Sequence, residues 1–155
     1  MKVIFLDFDG VVNSVKYLAL CGDHGVVLDP AKMVLLRQIV DATDGKIVLS
    51  TSWREYWDKD PALCTETGRQ INERFGEYGL QIYDRTPRLR LRREAEIGCW
   101  LGQHPQVQSF VVLDDMLLSA DFLQGHYIKT SNYFDGLEEA DVQQAIRILN
   151  GGGSR

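Results

Sequence analysis

The amino terminus of the chain is a short apolar segment that ends abruptly in two acids. Lys2–Leu6 is rich in β-branched and aromatic residues, as is typical of a strand buried on both faces of a parallel sheet. Asp7 and Asp9 follow at once, and Gly10 then lets the backbone turn away. Two carboxylates beside an apolar core repel each other and lose hydration unless a positive charge lies between them. Because hard divalent cations prefer oxygen ligands, the segment predicts a metal site, and Mg2+ is the cation we expect.

The rest of the sequence alternates strand patterns with helix patterns. We expect further strands at Lys46–Leu49, Leu80–Tyr83, Gln108–Leu113 and His126–Lys129. We expect helices from Asp29-Pro30 to near Asp41, in part of residues 55–79 with breaks at Pro61, Gly68 and Gly76, after Arg93, and over Leu137–Leu149. Ser14–Val27 is expected to form a loop or a small hairpin over the site. This alternation predicts an α/β fold with a mostly parallel central sheet between two layers of helices.

Three of the expected strands end in polar residues. These residues are Asp7 and Asp9, Ser50 and Thr51, and Asp114 and Asp115. Each pair by itself has a simpler interpretation, since such residues also cap helices and bond turns. In a parallel sheet, however, the carboxyl ends of the strands lie on one edge, where ligands bind. We therefore expect segments that are far apart in sequence to meet at a single site.

The same segments resemble the four motifs of the haloacid dehalogenase (HAD) superfamily of phosphohydrolases: a DxD opening, a strand-terminal Thr or Ser, a downstream Lys or Arg, and a late acidic pair. The corresponding segments are Phe5–Val12, Ile47–Arg54, Arg93 and Phe110–Asp115. The Ser-Trp-Arg run and the Gly-Val-Val-Asn opening are also similar to HAD domains grouped with Swiss Army Knife RNA-repair proteins. The resemblance implies a three-layer αβα Rossmann-like fold with a small cap or none, and phosphatase activity.

The order of the two opening acids predicts their roles in the hydrolysis of a phosphate monoester. Asp7, nearest the strand, would attack phosphorus and form an aspartyl-phosphate, which divides the reaction into two steps. Asp9 lies two residues beyond and would protonate the leaving oxygen, then activate water. The Asp7 carboxylate and the Asp9 backbone carbonyl would hold Mg2+ together with the late acidic pair. The resemblance implies that Asp115 touches the metal directly, with Asp114 as a direct or water-bridged helper.

Further residues are expected to contact the phosphoryl group. Thr51 would hydrogen-bond its oxygens through the hydroxyl and the backbone N–H, and Ser50 takes this role if the alignment shifts by one residue. Arg93, at a helix amino terminus, would neutralise phosphate charge and orient the nucleophile, and Arg92 is its competitor. Arg54 would either contact the substrate or pair with an acid.

Other residues near the motifs have structural interpretations beside the functional ones. Trp53 would pack in the core. Asn13 would either hydrogen-bond the catalytic loop or form a turn. His24, His104 and His126 lack the spacing of metal ligands, so we interpret them as structural or surface residues.

Three other functions compete with a Mg2+-dependent phosphatase. A response-regulator receiver also forms a phosphoaspartate, but there the acidic pair comes first and the phosphoacceptor follows, which is the reverse order. A metal-dependent nuclease would explain the carboxylates but leaves Thr51 and Arg93 without roles. A catalytically silent scaffold that binds phosphate and metal is less favoured because all four motifs are present.

Substrate size is inferred from the space available for a cap domain. Asn13–Lys46 contains only a loop and a core helix, and Trp53–Arg93 is long enough for a small elaboration but not for a large cap. An open site admits bulky phosphorylated substrates, such as a nucleic-acid end or a phosphoprotein. The basic segment Arg88–Arg93 is suited to a phosphate-rich one, although we expect most of its arginines to form a solvated face.

Bulk properties are those of an ordinary globular protein. The 155 residues predict one domain over residues 1–150 and a disordered tail at 151–155. A net charge of −5 argues against a broad nucleic-acid-binding surface. The 3 cysteines are scattered, which indicates free thiols in a reducing compartment. No segment has the pattern of a signal peptide or a membrane span, so we expect a cytoplasmic protein with no obligate partner.

Overall fold

The computed structural model describes residues 1–22, 25–131 and 135–152. Five strands form one sheet: β1 (Lys2–Leu6), β2 (Lys46–Leu49), β3 (Ile82–Arg85), β4 (Ser109–Asp114) and β5 (Tyr127–Lys129). Five α-helices accompany them: α1 (Val15–Cys21), α2 (Pro30–Thr43), α3 (Glu66–Glu77), α4 (Arg93–Gly102) and α5 (Glu139–Arg147). Short 3-10 helices span Ser52–Tyr56, Pro61–Leu63 and Asp121–Leu123, and a π-turn follows α5 at Ile148–Gly152.

The sheet has the order β3-β2-β1-β4-β5, and every pairing in it is parallel. The central strand β1 lies between β2 and β4, so the chain leaves β1 with a neighbouring strand end on each side. All of the β1 side chains from Val3 to Leu6 are buried, as the continuous apolar run predicts. The predicted three-layer α/β architecture is therefore confirmed.

The two faces of the sheet are covered unequally. Buried side chains of α2, α3 and α5 pack on one face in the larger core cluster. On the other face α4 places Ile97 and Trp100 over the sheet. The Phe5 and Trp100 rings meet edge to face with centroids 5.4 Å apart. Among the described residues, no helix is both long and apolar enough to cross a membrane.

Helix α2 begins as its sequence predicts. The Asp29 carboxylate accepts a hydrogen bond of 2.9 Å from the Ala31 N–H, and Pro30 occupies the first helical position. The helix runs two residues beyond the predicted end at Asp41 and stops where Asp44 adopts a left-handed conformation with φ of 55°. The cap and the turn are thus set by local sequence.

The prediction of a loop or hairpin over Ser14–Val27 is wrong for α1. The Ser14 hydroxyl caps this helix by accepting a hydrogen bond from the Tyr17 N–H at 3.1 Å. No residue of α1 is buried, so the helix lacks the apolar stripe from which a surface helix is normally recognised. Asp23 and His24, which belonged to the same prediction, lie outside the described residues.

The region between the second and third motifs also differs from its prediction. Helix α3 runs through Gly68 and Gly76 instead of breaking there. A Cβ on Gly68 would lie 2.0 Å from the Tyr56 carbonyl oxygen, so the glycine is needed for close packing. The strand expected at Leu80 begins at Ile82, because the Leu80 N–H donates to the Phe75 carbonyl in the last turn of α3.

The final helix starts later than its pattern indicates. Leu137 is fully buried but precedes α5, and Glu138 caps the helix in a reciprocal capping box with Asp141. The end of the chain at residues 153–155, for which a tail was predicted, lies outside the described residues. No cap domain is found in the described part of residues 13–93, since α2, α3 and β3 belong to the core fold and α1 has seven residues.

Candidate functional site

The polar residues that end three strands meet at the carboxyl edge of the sheet. The Asp7 N–H donates to the Leu113 carbonyl at 3.1 Å, which joins the end of β1 to the end of β4. The Ser50 N–H donates to the Leu6 carbonyl at 3.0 Å, which joins the end of β2 to β1. Backbone hydrogen bonds of the parallel ladder therefore fix the three motifs relative to one another.

Three carboxylates lie together at this edge. Asp7, Asp114 and Asp115 each offer an oxygen atom, and these atoms lie within 4.8 Å of one another. One guanidinium faces them: Arg93 Nη1 lies 3.0 Å from an Asp7 oxygen and 2.6 Å from an Asp114 oxygen. Three negative charges beside one positive charge leave this cluster, which we call the acidic cluster, with an excess of negative charge.

The excess charge is reflected in the acid–base properties of Asp7. Burial, followed by the charge of Asp114, raises the pKa of Asp7 to about 7, although Arg93 and the Phe8 N–H lower it. Burial and the same neighbour also raise the pKa of Asp115 above its ordinary value. The protein alone therefore stabilises these carboxylates poorly in their ionised form.

The two acids of the late pair are held differently. Asp114 is fully buried, and its two oxygens accept hydrogen bonds from Arg93 and from the Met116 N–H. Asp115 is only partly buried and lies against Gly10, where an added Cβ would come within 2.3 Å of its carboxylate. Gly10 also has φ of +80°, which glycine adopts without strain. Asp115 is thus the member of the pair whose oxygens are less occupied by the protein.

Arg93, and not Arg92, points into the acidic cluster. The Arg92 side chain is 77% exposed and pairs with Glu94 at 3.2 Å outside it. Burial lowers the pKa of Arg93, but the charges of Asp7 and Asp114 outweigh this and raise it above its ordinary value. Arg93 opens α4, as the sequence predicts, with Arg92 at the cap position.

Asp9 is positioned by two neutral donors. Asn13 Nδ2 donates to one Asp9 oxygen at 3.0 Å, and Trp53 Nε1 donates to the other at 3.2 Å. For Asn13 this corresponds to the predicted contact with the catalytic loop. Trp53 was expected only to pack in the core, and its bond to Asp9 was not predicted. The sequence around Trp53 does not indicate this bond, because the two residues are 44 positions apart in the chain.

The hydroxyls after β2 are fully buried. The Thr51 hydroxyl accepts a bond of 3.3 Å from the Trp53 N–H, which caps the short helix that follows. This leaves its hydrogen available to donate, since no acceptor for it is found among the described residues. The Ser50 hydroxyl has no hydrogen-bond partner at all within the same residues. Each hydroxyl therefore has a hydrogen-bond donor that no described residue uses.

Arg54 forms a buried ion pair with Glu96, which is the second of the two expectations for this residue. Their side chains are 10% and 5% exposed, and Arg54 Nη2 lies 2.6 Å from Glu96 Oε2. Arg54 Nη1 also donates to the Thr51 carbonyl, and Glu96 Oε1 accepts the Leu89 N–H at 2.8 Å. Burial lowers the pKa of Arg54. The pair links the segment after β2 to the segment before α4.

The histidines and cysteines lie apart from this site. His104 stacks on Trp100, and His126 stacks on Phe110, each with its Nδ1 beside a backbone carbonyl. These positions fit the predicted structural role, while His24 lies outside the described residues. Cys21, Cys64 and Cys99 are free thiols.

The donor chemistry of the acidic cluster fits a hard divalent cation. All of the candidate ligands are oxygen atoms, which is the set that Mg2+ prefers. A divalent cation would also neutralise the excess negative charge that burial makes unfavourable. The cluster is therefore compatible with metal binding by Asp7, Asp114 and Asp115.

Comparison with known proteins identifies the family. The family model described as the HAD domain in Swiss Army Knife RNA repair proteins matches residues 3–142, which include all of the strand-end residues above. No curated protein and no solved structure matches the chain. The family match agrees with the parallel sheet and with the acids at its carboxyl edge. The chain belongs to the HAD superfamily, as a domain of the kind found in Swiss Army Knife RNA repair proteins.

Proposed function

We propose that the protein is a Mg2+-dependent phosphatase that cleaves phosphate monoesters through an aspartyl-phosphate on Asp7. The observation that carries this proposal is the acidic cluster at the carboxyl edge of a HAD-type sheet, with Arg93 between Asp7 and Asp114. Phosphate monoesters hydrolyse extremely slowly without a catalyst, so the site must position the reactants and neutralise charge. The arrangement of the side chains supports both tasks.

In the first step an Asp7 oxygen bonds to phosphorus as the bond from phosphorus to the leaving oxygen breaks. Asp9 gives its proton to that oxygen. In the second step Asp9 takes a proton from water, the water oxygen bonds to phosphorus, and the bond from Asp7 to phosphorus breaks. Free phosphate leaves, and both acids return to their starting states.

The hydrogen bonds of Asp9 suit this exchange of a proton. In the ionised state its two oxygens accept from Asn13 and Trp53. When one oxygen carries a proton, its O–H becomes a donor while both oxygens keep acceptor capacity, so the bonds from Asn13 and Trp53 are compatible with either state. Asn13 and Trp53 thus fix the orientation of the Asp9 carboxyl group.

Mg2+ would be held by the Asp7 carboxylate, the Asp9 backbone carbonyl and Asp115, with Asp114 as a helper. When bound, it would neutralise charge on the transferring phosphoryl group. Arg93 would contribute a positive charge from the start of α4, and the Thr51 and Ser50 hydroxyls would supply hydrogen-bond donors. Arg93 also restrains the Asp7 carboxylate, since it contacts one of its oxygens at 3.0 Å.

The substrate we favour is the phosphorylated end of a nucleic acid. This proposal is supported by the family, whose description refers to RNA repair, and by the absence of a cap domain in the described part of the chain. A phosphoprotein is the other bulky substrate that an open site admits. A catalytically silent scaffold and a nuclease are outcomes that the following experiment distinguishes.

The experiment measures phosphate release from p-nitrophenyl phosphate and from oligonucleotides with 3′- or 5′-phosphates, with Mg2+ and with EDTA. We expect release only with Mg2+, and a loss of about 1,000-fold or more in Asp7→Asn because the nucleophile is removed. Asp41→Asn is the matched control, since it makes the same change at an exposed position of α2, where Asp41 pairs with Arg37.

Equal activity of Asp7→Asn and Asp41→Asn would exclude Asp7 as the nucleophile. Cleavage inside the strand without release of phosphate would indicate a nuclease. Binding of Mg2+ and phosphate with no turnover of any substrate would indicate a silent scaffold.

A further inference from the structure

A cationic groove opens beside the acidic cluster. It has a volume of about 500 Å3, and its lining includes Arg54, Arg88, Arg90, Arg92 and Arg93. This is within the range of sites that bind small molecules. Because Arg93 also contacts Asp7, the groove begins at the residue that receives the phosphoryl group in the proposed reaction. The protein as a whole has a net charge of −5, so this surface differs in sign from the rest of the molecule.

Most of the charges in the groove are already paired. Glu55 pairs with Arg88 at 2.5 Å, and Glu96 pairs with Arg54 at 2.6 Å. Arg92 pairs with Glu94, and Arg93 pairs with the acidic cluster. Arg90 is different, since its guanidinium has no hydrogen bond or ion pair with any described residue. The groove therefore presents one uncompensated cation beside a site built for phosphate.

The backbone that carries Arg90 is strained and anchored. Arg90 has φ of 56°, a left-handed conformation that is unfavourable for a residue with a side chain. The preceding N–H, of Leu89, donates to Glu96 at 2.8 Å, and Glu96 is held in turn by Arg54. Strained residues that the surrounding structure holds in place are concentrated at ligand sites. Arg54 Nε is buried without a partner in the described structure, and Arg54 also lines the groove.

Exposed apolar side chains accompany the arginines. Leu89 and Leu91 alternate with Arg88, Arg90 and Arg92 in the sequence, and Leu91 is 60% exposed. Met116, which directly follows the late acidic pair, is 50% exposed and lines the same groove. A ligand that matches this surface combines anionic groups with flat or apolar ones. Nucleotides have this combination, because each joins a phosphate to a sugar and a base.

We propose that Arg88–Arg92 forms a second phosphate subsite, centred on Arg90, for a phosphate next to the one that is hydrolysed. The inference rests on the proposed function and specifies its substrate: a nucleotide unit with at least two phosphate groups. Two sources provide this chemistry, namely a nucleic-acid strand with a phosphorylated end and a free nucleoside bisphosphate. The groove accepts the second phosphate through Arg90, while Leu91 and Met116 contact the sugar or base between the two phosphates.

The test compares kcat/KM for three substrates in the full chain: p-nitrophenyl phosphate, a nucleoside 3′,5′-bisphosphate and an oligonucleotide with one terminal phosphate. We expect the wild type to prefer the two nucleotide substrates and the preference to fall as salt is added. Arg90→Gln should reduce the ratio of oligonucleotide to p-nitrophenyl phosphate activity by about 5- to 10-fold, mainly through KM, because one charge-assisted contact is lost. Arg147→Gln is the matched control, since it removes an exposed arginine from α5 on the opposite face of the sheet.

The outcomes separate this inference from the proposed function. If the wild type turns over p-nitrophenyl phosphate but Arg90→Gln and Arg147→Gln give the same ratio, the subsite is wrong and the phosphatase proposal stands. If no substrate turns over, binding of the labelled oligonucleotide by fluorescence anisotropy still tests the subsite, and unchanged affinity in Arg90→Gln would overturn it. Preference for the bisphosphate over the oligonucleotide identifies the small ligand as the source. A wild type that turns over p-nitrophenyl phosphate with a kcat/KM equal to or above that of both nucleotide substrates would overturn the assignment to nucleotides.

Discussion

Two groups of buried charges in this protein differ in their balance of charge. The Arg54–Glu96 pair has one charge of each sign, and each partner has further hydrogen bonds to the backbone. The acidic cluster has three carboxylates and one guanidinium, and burial raises the pKa of Asp7 to about 7. The charges of the first group balance within the protein, although Arg54 Nε has no partner among the described residues. The second requires either protons or a cation from outside, which is what a site for metal and phosphate needs.

The difference between the two groups lies in their balance of charge. Burial and an arginine partner are common to both groups, so neither feature by itself distinguishes structure from function. The balance of charge does, because an unbalanced group is retained only at the expense of stability. The variants below are arranged from the largest expected change in the free energy of unfolding to the smallest.

Removing one member of the balanced pair should have the largest effect on stability. Glu96→Ala leaves the Arg54 guanidinium buried without its partner, and we expect a loss of about 3–5 kcal/mol in the free energy of unfolding, measured by urea denaturation. The double variant Arg54→Met with Glu96→Leu should recover much of this loss, because no unpaired charge is left. If the single variant is as stable as the wild type, the pair is not the structural link described above. If the double variant folds but is less active than the wild type, Arg54 also contacts the substrate.

Neutralising one member of the unbalanced cluster should stabilise the protein. The pKa of Asp7 is raised in the folded state, from its ordinary value of 3.8 to about 7, so stability is lost as the pH rises between these values. At pH 8 in EDTA, Asp7→Asn should therefore be more stable than the wild type by on the order of 2 kcal/mol. At pH 4 the difference should be small. A destabilised Asp7→Asn at pH 8 would contradict the excess of negative charge.

A smaller loss of stability is expected around Asp9, which belongs to neither group. Its carboxylate is held by neutral donors, so removing one donor leaves no buried charge unpaired. Trp53→Phe keeps the aromatic ring but removes the N–H, and we expect a loss of about 1 kcal/mol in stability and about 10-fold in kcat. Trp57→Phe is the control, since Trp57 donates to Asn72 away from the site. An equal effect of both variants on kcat would argue against a role for Trp53 in orienting Asp9.

Much of the sheet and its edge could be predicted because the signals are local. The apolar run Lys2–Leu6 and its counterparts give strands wherever they occur, and parallel pairing then brings the strand ends together. Asp29-Pro30 likewise marks a helix start through its own hydrogen bond and ring. These features depend on residues that are neighbours in sequence.

The features that were not predicted depend on contacts between distant residues or on the absence of burial. Trp53 reaches Asp9 across 44 residues, and Arg54 reaches Glu96 across 42. Neither contact follows from spacing, although a glutamate next to the buried Ile97 on one helix is a signal that a cation lies nearby. Helix α1 was missed for the opposite reason, since it buries no side chain and so leaves no pattern.

The backbone hydrogen bonds from Asp7 to Leu113 and from Ser50 to Leu6 have a consequence for how the site forms. These bonds are the last rungs of the ladders that the central strand β1 forms with β4 and β2. The candidate site therefore forms only once β1 is paired with both neighbours up to its carboxyl end, and protection of the Asp7 and Ser50 amides from hydrogen exchange would report that the geometry around Asp7 is intact.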